Sequence, residues 1–199
     1  MKKDRTVTNI FLAGVGGQGT ILASNIMGHV LSTAGFEVKK AEVHGMAQRG
    51  GDVVTHFRFG TKIYSPLIKY GDADYLIGFE LLEGLRYINW LKNDGKVILN
   101  NQKMYPPAVN IGEMSYPDDI PGIFRSHFGK NNVYVVEGLE IARKLGNIQV
   151  ANVVMVGAFS NFLPDLKEEL WLEAIRNLVP ERFQDLNIKA FQEGRRALG

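Results

Sequence analysis

The sequence contains no cysteine among its 199 residues. It therefore offers no thiolate, which excludes disulfide bonds, cysteine-held zinc, c-type haem attachment and an iron–sulfur cluster bound by this chain itself. The histidines show no metal-ligand spacing, and His56 is expected at the surface, on the polar side of its strand. We therefore expect no metal site in this chain.

A large excess of one charge and long hydrophobic runs are also lacking. Lys and Arg number 23 against 21 Asp and Glu, a formal net charge of +2, so the basic footprint typical of nucleic-acid binding is missing. Apolar stretches such as Val153–Phe159 fall far short of the ~18 residues that a membrane span needs, and Met1–Arg5 leads into no signal-peptide core. We expect a cytoplasmic protein that binds neither nucleic acid nor membrane.

The sequence has the composition of an ordinary globular protein, with 45% hydrophobic and 22% charged residues. Short apolar runs alternate with segments of helical periodicity. The expected strands are Val7–Ala13, Phe36–Val43, Val53–Phe59, Asp74–Phe79, Lys96–Asn100 and Val133–Val136. The expected helices are Thr20–Ala34, Leu81–Leu91, Glu137–Leu145, Asn152–Phe162, Leu166–Leu178 and Arg182–Leu198. This order predicts a single Rossmann-like α/β domain over residues 1–199, with a mostly parallel sheet, helices on both faces and a helical C-terminal part.

Two connections have a distinctive composition. Residues 60–62 are expected to turn the third strand back into Ile63–Tyr64 as a hairpin. Residues 101–121 contain several prolines and few periodic apolar positions, which predicts an extended excursion packed on the surface.

The first candidate site is the G-x-G-x-x-G pattern between the first strand and the first helix. Glycine lets the backbone approach an anion, and the first free N–H groups of the helix would point at it. Glu42, roughly twenty residues later, stands where a dinucleotide fold places the acid that holds a ribose hydroxyl. The pattern thus allows a phosphate-binding turn, an NAD or FAD site, or glycines that serve packing alone. The candidate binding residues are Gly14, Gly16, Gly17, Gln18, Gly19 and Thr20; Thr20 stands where a kinase-type P-loop would need Lys.

A second glycine-rich segment follows the expected second strand, at the sheet edge where ligands usually bind. The Arg49 guanidinium could form a bidentate hydrogen bond with a phosphate or with a partner's carboxylate, and His44 could titrate near neutral pH. A solvated connector is the alternative. The candidates for a shared site or an interface are His44, Gln48, Arg49, Gly50 and Gly51. The motifs in the sequence do not make up a complete set of catalytic residues, so no catalytic residue is expected in the isolated chain.

The remaining conspicuous residues have structural explanations. Glu80 and Glu83 begin a helix, where carboxylates complement the helix dipole, and Asn152 is expected at or near a helix N-cap. The larger aromatic residues are expected in the core or at an interface: Trp90, Trp171, Phe183 and Phe191.

The two glycine-rich segments, residues 14–19 and 42–51, together resemble the gamma-type domain shared by 2-oxoacid:ferredoxin oxidoreductases. Tyr64-Ser65-Pro66-Leu67-Ile68, Gly71-Asp72-Ala73-Asp74 and Phe79-Glu80 continue the same pattern, so the resemblance covers most of the chain. The sequence motif at residues 44–51, His-Gly-Met-Ala-Gln-Arg-Gly-Gly, is most similar to that of the beta subunits of indolepyruvate ferredoxin oxidoreductases.

This resemblance implies a small subunit that is inactive alone. Its complex would oxidatively decarboxylate a 2-oxoacid, here an arylpyruvate, pass electrons to ferredoxin and release an acyl-CoA. Thiamine diphosphate, Mg and the 4Fe-4S clusters would lie in the large (alpha) subunit, and coenzyme A would be the co-substrate, met by the glycine turn or by residues 48–51. From the residues alone, a free-standing NAD- or FAD-binding protein or dehydrogenase stays open, and so does an interaction module with purely architectural glycines.

Overall fold

Six strands form one mixed sheet in the computed structural model of the chain, which describes residues 7–45 and 51–198. The strands are β1 (Thr8–Val15), β2 (Glu37–His44), β3 (Asp52–Gly60), β4 (Ala73–Gly78), β5 (Leu91–Asn100) and β6 (Val133–Val136). Their order in the sheet is β2-β3-β1-β4-β5-β6. The pairs β1–β4, β4–β5 and β5–β6 are parallel, whereas β3 is antiparallel to both of its neighbours. The predicted α/β fold with a mostly parallel sheet is confirmed.

Helices cover both faces of this sheet. They are α1 (Thr20–Thr33), α2 (Leu81–Arg86), α3 (Pro107–Asn110), α4 (Ile120–Phe128), α5 (Gly138–Lys144), α6 (Ala151–Ser160), α7 (Glu168–Leu178) and α8 (Glu181–Arg196). Short 3₁₀ turns occupy Ile88–Trp90, Lys130–Asn132 and Ile148–Val150. Within the described ranges, no helix combines the length and the apolar character that crossing a bilayer requires.

Alternate residues of β1 enter two separate cores, because successive side chains of a strand point to opposite faces of the sheet. Ile10 and Leu12 join the larger core, which includes α1 and the C-terminal helices. Phe11 and Ala13 join the smaller core under α2 and α4. The strand is therefore buried on both sides, as its continuous apolar run predicts.

The expected hairpin after β3 is wrong. Ile63 and Tyr64 lie outside the strands, and the Ile63 N–H donates to Glu37 Oε2 at 3.0 Å. The hairpin is instead formed by β2 and β3, which pair from Glu37–Gly60 to His44–Val53. Because β1 lies on the other side of β3, this strand has no free edge.

The expectation of a surface position for His56 is also wrong. Its side chain is only 6% exposed, and its Nδ1 accepts a hydrogen bond from the Ile68 N–H at 3.1 Å. Its ring packs edge-on against Phe11 and Trp90, with ring centroids 4.9 and 5.0 Å away. Burial lowers the pKa of His56, so the imidazole is a neutral acceptor inside the smaller core.

The segment after β5 is less extended than its prolines suggest. The short helix α3 lies within it, and α4 already begins at Ile120, where the Asp119 carboxylate accepts a hydrogen bond from the Gly122 N–H at 2.8 Å. The expected helix Leu81–Leu91 is also shorter: α2 ends at Arg86, and Leu91 already belongs to β5. Tertiary pairing thus overrides helical periodicity at this point.

The three C-terminal helices begin and end within two residues of their predicted bounds. Trp171 and Phe191 are buried there and stack with ring centroids 5.7 Å apart, whereas Phe183 is 39% exposed. Helices α6 and α8 cross at Gly157 and Gly194. A Cβ on either glycine would lie well inside 3.0 Å of a carbonyl oxygen of the opposite helix, so the two backbones are in direct contact.

Candidate functional site

The glycine turn joins β1 to α1 at the carboxyl end of the parallel strands, where ligands bind in open α/β sheets. Gly17 and Gly19 have φ values of +98° and +75°, a region that side chains rarely adopt. The Gln18 N–H closes the turn on the Val15 carbonyl at 3.1 Å. The tight strand-to-helix turn predicted from the glycine pattern is thus present.

Two further contacts hold this turn against the sheet. A Cβ on Gly14 would lie 2.9 Å from Thr20 Cγ2 and 3.1 Å from Phe79 Cβ, so glycine permits the close packing of α1 on the strands. Asn152 lies near the start of α6, as predicted, but its Nδ2 reaches across and donates to the Gly19 carbonyl at 3.1 Å. The C-terminal helices therefore help to position the turn.

The Gln18 side chain is directed into the protein. Its Oε1 accepts from the Val15 N–H at 2.8 Å, and its Nε2 donates to the Phe79 carbonyl at 3.1 Å and to Gln102 Oε1 at 3.2 Å. These contacts use both ends of the amide. Gln18 therefore ties the turn to the ends of β4 and β5.

The N-terminus of α1 has no capping side chain and no acidic residue in its first turn. By contrast, α2 is capped by Glu80 and α4 by Asp119. Because the first N–H groups carry the positive end of the helix dipole, this terminus suits a phosphate or another anion. Thr20 is only 4% exposed, so the backbone here is the available donor.

A cleft of about 240 Å³ opens beside the turn. Its lining residues come from the turn, the ends of β4 and β5, and the starts of α5 and α6: Gly16, Gly17, Gln18, Phe79, Asn100, Gln102, Met104, Leu139, Ile148, Gln149, Ala151 and Asn152. None of these side chains is ionisable. The part of the cleft wall that the described residues form is therefore built from amides and apolar groups.

The described ends of the second glycine-rich segment lie at the end of β2 and the start of β3. The Gly45 N–H donates to the Asp52 carbonyl at 2.8 Å, and the Gly16 N–H donates to the Gly51 carbonyl at 2.9 Å. The backbone of His44 pairs with Val53. Gly51 and the glycine turn are thus brought together, whereas Gln48, Arg49 and Gly50 lie outside the described residues.

Glu42 does not occupy the position that a dinucleotide fold requires. The antiparallel strand β3 separates β2 from β1. The Glu42 carboxylate instead lies 2.8 Å from Lys40 Nζ, which also donates to Asn25 of α1 at 2.5 Å. Nothing in this arrangement supports an NAD or FAD site.

Glu80 caps α2 as its position predicts, but it does more than the sequence indicates. It is 1% exposed, and its Oε2 accepts from the Glu83 N–H at 2.8 Å. Its Oε1 accepts from the Tyr116 hydroxyl at 2.6 Å and from the Met104 N–H at 3.0 Å. This carboxylate therefore holds the segment after β5 against α2, and burial raises the pKa of Tyr116.

Sequence reasoning placed Glu83 in the first turn of a helix but did not predict that its pKa is perturbed. Its side chain is buried, and burial raises its pKa to about 7, assisted by the nearby charges of Glu80 and Asp52 and opposed by Arg86 at 3.2 Å. Its Oε2 has no hydrogen-bond partner among the described residues. Burial and the hydrogen bond that Tyr87 donates to Asp52 raise the pKa of Tyr87 to about 12. No sequence signal distinguishes Glu83 from any acid in a first helical turn.

Comparisons with known proteins agree with one another. The family model described as pyruvate ferredoxin/flavodoxin oxidoreductase matches residues 9–197. Indolepyruvate oxidoreductase subunit IorB of Thermococcus kodakarensis is 40% identical over 193 residues, which cover 95% of each chain. The keto/oxoacid ferredoxin oxidoreductase gamma subunit of Geobacter sulfurreducens PCA has a similar fold, with a TM-score of 0.71, 23% identity, and coverage of 96% of this chain and 98% of that one.

A second similar structure contains a longer chain. It is 2-oxoglutarate:ferredoxin oxidoreductase from Magnetococcus marinus with 2-oxoglutarate, coenzyme A and succinyl-CoA bound, and it matches with a TM-score of 0.72 and 21% identity. The match covers 98% of this chain and 31% of that chain.

Proposed function

The chain belongs to the pyruvate ferredoxin/flavodoxin oxidoreductase family, and we propose that it is the small subunit of an indolepyruvate-type 2-oxoacid:ferredoxin oxidoreductase. The observation that carries this proposal is the 40% identity, over 95% of both chains, to a protein named as an indolepyruvate oxidoreductase subunit. The complex oxidatively decarboxylates indolepyruvate or a related arylpyruvate to an acyl-CoA, with ferredoxin as electron acceptor. The whole chain, residues 1–199, acts as one cytoplasmic domain of that complex.

The residues of this chain do not fit the redox cofactors of such an enzyme. The sequence has no cysteine to hold a 4Fe-4S cluster. Across residues 7–45 and 51–198, no group of three or more His, Cys, Asp or Glu side chains could hold a metal ion. We place thiamine diphosphate, Mg and the clusters in a larger alpha subunit, through which ferredoxin also reaches the complex, as the family resemblance implies.

The contribution of this chain is to bind coenzyme A and to close the shared site. The uncapped N-terminus of α1 supplies backbone N–H groups for a phosphate, and its first turn carries no acid that would repel one. The hydrogen bond from the Gly16 N–H to the Gly51 carbonyl places Gly51 beside this phosphate site. Arg49 then lies on a segment whose ends border the site, where a guanidinium can pair with a phosphate or with a carboxylate of the large subunit.

Co-expression with the large subunit tests the proposal. The two chains should co-purify without oxygen as a brown complex, and the complex should reduce a viologen dye with indolepyruvate and coenzyme A. Each chain alone should be inactive. A preference for pyruvate or 2-oxoglutarate would agree with the family but contradict indolepyruvate as the substrate. Saturable NAD or FAD binding by the isolated chain would favour the dinucleotide alternative.

A further inference from the structure

Residues 103–119, here called the exposed segment, lie between β5 and α4 and include no buried residue. Four large hydrophobic side chains on it are between 38% and 68% exposed: Met104, Tyr105, Ile111 and Met114. They make up a third of the twelve large hydrophobic residues that are exposed in the described parts of the chain. Because a cluster of exposed apolar side chains marks a site of contact with another molecule, this segment points to an interaction surface.

The exposed segment is held in place although it has no core of its own. The buried Glu80 carboxylate accepts hydrogen bonds from the Tyr116 hydroxyl at 2.6 Å and from the Met104 N–H at 3.0 Å. The N–H groups of Ile111 and Met114 donate to carbonyls of α3 at 3.0 and 3.1 Å. The apolar side chains are therefore presented on an ordered backbone, which reduces the entropy that docking would cost.

The composition of the exposed segment indicates what kind of molecule it contacts. From residue 104 to residue 116, only Glu113 is charged. The buried centres of protein–protein interfaces are enriched in Tyr and Met and depleted in Lys, Glu and Asp. The segment therefore suits an apolar protein surface better than a charged ligand.

The position of the exposed segment identifies the partner. Because β5 is parallel to β4, and β4 to β1, the segment starts at the edge of the sheet that carries the glycine turn. Met104 also lines the cleft beside that turn. In the proposed function the redox cofactors lie in the large subunit, which must reach this edge to share a site with the turn. A second copy of this chain would bring no thiolate to that site.

We propose that the exposed segment docks against an apolar face of the large subunit and that Ile111 and Met114 become buried in this contact. The inference rests on the proposed function, which supplies the partner. Through Met104, the subunit interface then continues into the cleft beside the glycine turn.

Binding of the full-length chain to the purified large subunit tests this assignment, measured without oxygen by biolayer interferometry. Ile111→Asp and Met114→Asp each place a carboxylate on the exposed segment. Leu67→Asp is the matched control, because Leu67 is 56% exposed and lies between β3 and β4, at the opposite edge of the sheet. Thermal unfolding of each variant shows whether it folds.

We expect both segment variants to raise the Kd for the large subunit about tenfold or more, because the carboxylate would lose its hydration in an apolar contact. Their Tm should not change, since both positions are exposed, and Leu67→Asp should change neither quantity. If one segment variant fails to fold, the other decides.

Unchanged Kd values for the segment variants would overturn the assignment, and so would equal weakening by Leu67→Asp. Loss of a dimer of this chain, with unchanged binding to the large subunit, would assign the segment to a second copy. If the unsubstituted chain did not bind the large subunit at all, the proposed function itself would fail.

Discussion

Two glycines inside helices should respond in opposite directions to alanine. At Gly157 of α6 an added Cβ would lie well inside 3.0 Å of the Phe191 carbonyl oxygen, a backbone atom that cannot rotate away. At Gly28 of α1 it would meet Phe57 Cε2 at 3.7 Å and Val38 Cγ1 at 4.0 Å, which are ordinary van der Waals contacts. The two substitutions are chemically identical, so the difference between them isolates the packing.

The magnitudes follow from the helix interior and from the contact. Alanine is favoured over glycine inside a helix by ~1 kcal/mol, which is the net gain expected for Gly28→Ala. For Gly157→Ala, α6 and α8 must separate, and overpacking of this kind costs ~1–3 kcal/mol or more. Because the contact is with a backbone atom, we expect a cost at the upper end of that range. After the ~1 kcal/mol gain in helix propensity is subtracted, the free energy of unfolding should fall by about 2 kcal/mol or more.

Thermal unfolding of the purified chain, followed by circular dichroism, provides the assay. For a chain of this length a change of 1 kcal/mol shifts Tm by about 2–4 °C. Gly28→Ala should therefore raise Tm by about 2–4 °C, and Gly157→Ala should lower it by at least about 4–8 °C. A Gly157→Ala variant that melts at or above the unsubstituted protein would refute the close crossing of α6 and α8.

Three further predictions concern the site and its supports. Burial raises the pKa of Glu83 to about 7 in the folded protein, above its ordinary value of 4.5, so the folded state binds this proton more tightly and stability should fall as pH rises from about 4.5 to about 7. Glu83→Gln should remove that fall, and parallel pH profiles of Tm for the two proteins would contradict it. Tyr116→Phe should lower the unfolding free energy by ~1 kcal/mol in denaturant titrations, because Glu80 loses one hydrogen bond; no loss would show that this bond contributes nothing. Arg49→Ala should leave folding and association intact while turnover or apparent coenzyme A affinity falls, and unchanged steady-state kinetics would remove Arg49 from the site.

The glycine turn could be predicted from the sequence because its causes are local. Gly17 and Gly19 need left-handed backbone angles, and the helix that follows needs only its own apolar periodicity. The C-terminal helices were predictable for the same reason, since Pro164 and Pro180 separate them. The resemblance to a known family rests on the glycine turn, on residues 42–51 and on the short motifs between residues 64 and 80.

The position of β3 could not be predicted in this way. Its insertion between β1 and β2 depends on pairing between strands far apart in the chain, and the alternation of polar and apolar residues does not report it. The same insertion buries His56 and places Asp52 beside Glu83. Reasoning from an ordinary Rossmann order therefore placed Glu42 near the turn, and the alternation of the strand placed His56 at the surface.

The sequence by itself determined the class of the fold, the glycine turn, the absence of thiolate ligands and the family resemblance, because each follows from residue types and short-range spacing. Only the tertiary structure decided that Gln18 faces inward, that Asn100 Oδ1 is buried without a hydrogen-bond partner among the described residues, and that burial raises the pKa of Glu83. Those properties depend on burial and on partners contributed by distant segments. The first two arise where the ends of β1, β4 and β5 meet α5 and α6 at one edge of the sheet, and the third arises where α2 packs beside the start of β3.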